Sequence, residues 1–145
     1  PSAYPYLINT RSGGGHLASS HSASNSAPDT VERLSFAPMW RVMLADLSAG
    51  VAVEQIAAGF HNTVIAAFAE LAVRQAQQQG VDQIVLSGGV LQNRILLQGL
   101  SCALEQAGFK VLVHRQLPTN DGGLSFGQAL VAAARYLDAS SDLED

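Results

Sequence analysis

Hydrophobic and polar positions along this chain follow two different rhythms. Val53, Ile56, Ala57, Phe60, Val64, Ala67, Phe68 and Leu71 recur at three- and four-residue steps, which predicts one helix from about Val53 to Gln79, ended by Gly80. A shorter helix is expected through "PMWRVMLADLSAG", with Pro38 in its first turn and Gly50 closing it. After Gly80 the segments shorten. "QIVLS" reads as a strand, "LQNRILLQGLSCALEQAG" as a helix ending at Gly108, "KVLVH" as a second strand and "LSFGQALVAAARYLDA" as a last helix. Strand, helix, strand, helix in that order implies a parallel pair with a right-handed crossover and helices covering the sheet. Near the start, "YPYLIN" and "VERLSF" alternate as strands do and are expected to extend that sheet antiparallel.

These elements predict an α/β lobe with a short mixed sheet covered by helices. Its parts are an antiparallel hairpin at 1–36 with a flexible Ser/Gly-rich loop at about 11–28, a helical and βαβα core at 37–138, and a frayed acidic tail at 139–145. His16 and His21 fall in the loop without carboxylate or cysteine company, so they read as loop histidines rather than metal ligands.

Composition narrows the classes. At 145 residues the chain is about one domain long and can bury a core. A net charge of -4 leaves no basic excess to neutralise phosphates, which argues against general binding to nucleic acid or a membrane surface. No uninterrupted apolar run approaches the roughly 20 residues of a bilayer span. No signal peptide is visible, and a start at Pro1 suggests a piece of something longer. The single cysteine, Cys102, has apolar neighbours and is expected to be a buried small hydrophobe, as suits a reducing cytoplasm.

Chemistry is expected at the carboxyl ends of the parallel strands, where ligands collect in open α/β sheets. The first end is Ser87-Gly88-Gly89-Val90, leading to Gln92 and Asn93. Paired glycines admit close approach of an anion, and the next helix is expected to aim its free N–H groups at the same spot. A tight turn with close helix packing would look the same. The second end is "LPTNDGGLSFGQ". There Asp121 or Asn120 could be an N-cap, or Asp121 could hold a metal that serves a nucleotide phosphate. His61, Asn62 and His114 have no local partner at metal spacing and read as structural. Ser87 has no convincing general base in the sequence, so covalent catalysis by it is not expected.

"GFHNTVIAAFAELA", "IVLSGGVLQNRILL" and "GFKVLVHRQLPTNDGGLSFGQAL" together resemble the C-terminal end of the HypF carbamoyltransferases of nickel–iron hydrogenase maturation. The similarity runs from about Tyr4 to Leu137 and is weakest through the Ser/Gly loop. It implies the second lobe of an actin/sugar-kinase/Hsp70-like (ribonuclease H-like) fold, also found in Kae-like proteins. It implies that carbamoyl phosphate and ATP yield carbamoyl-adenylate, whose carbamoyl group passes to the C-terminal cysteine of a HypE-like acceptor. By the same resemblance, Ser87, Gly88, Gly89, Asn93 and Gly122 would bind the nucleotide or carbamoyl-adenylate, and Asp121 would ligate a divalent metal ion. The family's paired metal-binding histidines lie in the first lobe and have no counterpart here, and its acylphosphatase-like, zinc-finger and YrdC-like domains are absent. The 145 residues alone are therefore expected to be inactive unless another chain supplies the first lobe. Two further readings stay open: a stand-alone or degenerate nucleotide-binding scaffold lobe, and an O-carbamoyltransferase acting on a small-molecule hydroxyl.

Overall fold

The computed structural model describes residues 1–12, 30–118 and 120–141. Residues 13–29, most of the expected Ser/Gly loop with His16 and His21, lie outside them, and Arg11 and Ser12 belong to the first strand instead. Strands β1 (Leu7–Ser12) and β2 (Thr30–Ser35) precede helices α1 (Ala37–Ser48) and α2 (Val53–Gln79). Then come β3 (Gln83–Leu86), a 3-10 turn (Gly89–Gln92), α3 (Arg94–Gln106), β4 (Lys110–Val113), a second 3-10 turn (Asp121–Gly123) and α4 (Leu124–Ser141). Contacts divide the chain into two compact units, Pro1–Gln75 and Ala76–Asp145.

The sheets differ from expectation. β1 pairs antiparallel with β2, from Leu7 with Ser35 to Ser12 with Thr30. β3 pairs parallel with β4, from Gln83 with Lys110 to Leu86 with Val113. Each ladder has two strands, so the hairpin does not extend the parallel pair. β1 also begins later than "YPYLIN" suggests. Pro5 has no N–H to give a ladder, and the residues on either side of it bond elsewhere in the first unit. The Tyr4 amide donates to Thr63 Oγ1 at 2.6 Å, and the Tyr6 hydroxyl donates to Glu70 at 2.6 Å.

In α2 the buried residues are Ile56, Gly59, Thr63, Ala67, Ala69 and Ala76, mostly small, while Phe60, Val64, Phe68 and Leu71 of the expected apolar face are not fully buried. Small residues there let the N-terminal segment approach, since a methyl placed at Gly59 would lie 2.6 Å from the Tyr4 ring. The larger side chains flank these residues. Phe68 meets Phe36 at 6.3 Å between ring centroids, and Phe60 meets Trp40 at 6.4 Å. His61 bonds the Ala57 carbonyl and Asn62 the Pro1 carbonyl. By length and composition alone α2 could cross a membrane, although its sequence holds no unbroken apolar run. Its polar side chains argue otherwise: Thr63, Glu70 and Gln75 each bond a residue of the N-terminal segment or β2.

Glu70 and Tyr6 make that packing sensitive to pH. Burial, then the bond to Glu70, pushes the Tyr6 hydroxyl up to about 12. The Tyr6 bond, helped by Arg74, holds Glu70 below its ordinary range. A raised tyrosine favours the fold fully below its unfolded value near 10, and that contribution is lost as pH rises toward about 12. The melting temperature should therefore fall more steeply over that alkaline interval in the parent chain than in Tyr6→Phe. Equal slopes would show that Tyr6 is not the group responsible.

In the second unit, α3 buries Leu96, Leu100 and Leu104 at four-residue spacing. Cys102 lies half a turn away and is exposed, which corrects its expected burial. The predicted helix from Leu91 also divides. Asn93 takes extended backbone (ψ 107°), and its side chain accepts from the Ile95 and Leu96 amides, so α3 starts at Arg94. α4 runs through Ser141, two residues past the expected end.

Candidate functional site

The parallel register places one site at the ends of β3 and β4. Leu86 pairs with Val113, so Ser87 and His114 are the next residues on each strand. Ser87 Oγ and His114 Nε2 lie 2.9 Å apart. The partner that sequence reading could not find for Ser87 is therefore the histidine it treated as structural.

Beyond Ser87 the chain turns at Gly88, with φ 112° and ψ 159°. Only glycine adopts that backbone without strain. A methyl there would meet no atom within 4 Å, so the requirement comes from backbone geometry and not from space. Gly89 has no such backbone demand, and a methyl on it would meet only Asn120 Cβ, at 3.9 Å. That approach brings the two glycine-rich loops side by side.

In the second loop, Asn120 is the cap, its Oδ1 accepting from the Gly122 amide at 3.0 Å. Asp121 is thus relieved of capping. Gly122 and Gly123 have packing reasons to be glycine: methyls would lie 3.0 Å from Asn120 Oδ1 and 3.1 Å from the Pro118 carbonyl oxygen.

Together the loops and α4 line an open cavity of about 760 Å³, within the range of small-molecule sites. Ser87, Gly88, Gly89 and Asp121, four of the six residues expected at the site, line it. Asn93 and Gly122 do not line it, Gly123 taking the latter's place. Two of the helix amides expected to face an anion, those of Ile95 and Leu96, are occupied by the Asn93 side chain. Close backbone approach at Gly88 and Gly89 remains.

The far wall was missed from sequence. Leu124, Gly127, Gln128, Val131, Ala132 and Arg135 form a stripe of α4 at three- and four-residue steps along the cavity. The signal was in the spacing, but an apolar stripe reads first as a core face. Here Leu124 is 63% exposed and Val131 52%. Arg135 adds a cation to a cavity that already holds Asp121.

Among the described residues, no three His, Cys, Asp or Glu side chains converge as a metal site. Asp121 is a hard oxygen donor of the kind divalent cations take, but one carboxylate is not a site by itself.

Comparison with known proteins follows this geometry. Residues 13–128 match the family described as the carbamoyltransferase Kae1-like domain, second subdomain. The chain is 37% identical over 116 residues to carbamoyltransferase HypF2 of Cupriavidus necator, covering 73% of this chain and 14% of that protein. It is 42% identical over 84 residues to carbamoyltransferase HypF of Synechocystis sp., covering 57% of this chain and 10% of that one. Among solved structures, full-length HypF in its phosphate- and nucleotide-bound form superposes with a TM-score of 0.70 at 32% identity. That alignment covers 90% of this chain and 15% of the other, so the chain spans a small part of the proteins it matches.

Proposed function

The chain belongs to the HypF carbamoyltransferase family, as the second subdomain of its Kae1-like domain, and from that premise we propose that its cavity is one wall of the site that makes and transfers carbamoyl-adenylate. Carbamoyl phosphate and ATP are the substrates, and the C-terminal cysteine of a HypE-like protein in the cytoplasm is the acceptor for hydrogenase cyanide-ligand synthesis. One observation carries the reading: both glycine-rich loops meet in a single cavity with a serine hydroxyl, a carboxylate and a guanidinium on its walls. A related HypF has been crystallised with phosphate and nucleotide, which supports nucleotide binding within the family.

Each residue then has a task. Gly88 and Gly89 let a phosphate reach the backbone, and Ser87 offers a hydroxyl to it. Leu124, Val131 and Ala132 of α4 give the cavity an apolar wall. Arg135 balances negative charge. Asp121 supplies one carboxylate to a divalent cation whose remaining ligands come from outside this chain; when bound, that cation neutralises phosphate charge. Asn93 and Gly122 act indirectly, the first by starting α3 and the second by fitting beneath Asn120.

Carbamoyl-phosphate-dependent ATP–pyrophosphate exchange tests this. The complete polypeptide that carries this lobe should catalyse it, and the 145 residues alone should not. Exchange by the isolated chain would refute the division of the site. Its absence from the complete polypeptide would refute the reaction.

A further inference from the structure

We propose that His114 is a positioning residue for the anion contact at Ser87, giving the cavity a two-step donor relay. The inference rests on the nucleotide reading above and adds to it the residue that orients the hydroxyl.

The geometry is set by the sheet. Ser87 and His114 each directly follow a four-residue strand, in register, and their polar atoms are 2.9 Å apart. Both also line the cavity. A serine hydroxyl has one proton, and its direction decides what the oxygen shows to a ligand. If the proton points at His114, a lone pair faces the cavity and repels an anion. If His114 donates its Nε2–H to Ser87 Oγ, the serine proton turns to the cavity and donates to a phosphate oxygen. Each donor polarises the next, which strengthens the contact at the anion. Arg135 and Asp121 are the basic and acidic side chains on the cavity wall, and neither replaces this directional donor.

A histidine that only latched the two strand ends together would show the same geometry, so the test must read phosphate contact and not stability alone. ATP and adenosine binding should be measured by calorimetry in the complete polypeptide and its variants. His114→Leu and Ser87→Ala should each weaken ATP binding about tenfold, the scale of one hydrogen bond to a charged group. Adenosine, which has no phosphate, should bind each variant as it binds the parent. The double variant should lose no more than either single one, because the two residues act as one unit. His114→Gln, which keeps an N–H donor, should retain most of the ATP affinity. If His114→Leu is too unstable to measure, His114→Gln and Ser87→Ala carry the comparison.

Undiminished ATP binding by His114→Leu, equal losses for ATP and adenosine, or additive losses would each overturn the relay. Gly89→Ala separates this from the parent reading. If it weakens ATP binding and His114→Leu does not, only the relay falls. If the parent protein binds no ATP, or Gly89→Ala has no effect, the nucleotide reading falls and the relay with it.

Discussion

Asp121→Asn in the complete polypeptide should lower ATP–pyrophosphate exchange about 100-fold or more while leaving the fold nearly as stable as before. The loss follows from charge. Cation stabilisation of a phosphoryl centre is worth several kcal/mol, and about 1.4 kcal/mol is a factor of ten in rate. The small effect on the fold follows from the loop. Asn120, not Asp121, caps the turn through the Gly122 amide. Removing a charge from a first turn costs about 0.3–1 kcal/mol. Asn120→Ala should do the opposite, costing about 1 kcal/mol of stability through the lost cap. Exchange rates and urea melts of the two variants separate the roles. Full activity in Asp121→Asn would remove the carboxylate from the chemistry.

The two glycines after Ser87 should also part company. Gly88→Ala forces an L side chain onto φ 112° and should cost about 1–3 kcal/mol of stability. Nucleotide binding should fall with it as the loop relaxes. Gly89→Ala has neither a positive φ nor a close neighbour, so its melting temperature should stay within about 1–2 °C, as for an unstrained surface change. Its ATP affinity should still drop, since the methyl enters space a phosphate would use. Unchanged affinity with a lowered melting temperature at Gly89 would mean that this glycine serves packing alone.

Much of this was legible in one dimension. Helix α2 begins at Val53 and ends at Gln79, as its period and Gly80 predict, because periodicity and a left-handed C-terminal glycine are local properties. Both parallel strands and the loops after them were also legible. One local feature was not read: Asn93, expected at the ligand, also caps α3 through the Ile95 and Leu96 amides, and an asparagine before a helix looks the same in either role.

What the sequence determined by itself is therefore the set of elements, the family motifs and the two glycine loops. Only the tertiary structure decided which side chains meet. Ser87 and His114 are 27 residues apart, and only a parallel register of four-residue strands makes them neighbours. The stripe of α4 that lines the cavity reads as a core face until packing shows that it borders open space. The hairpin, too, forms its own ladder because strand pairing depends on partners far along the chain. Periodicity fixes a residue's direction within its element, but contact between elements depends on register and packing, which no local pattern encodes.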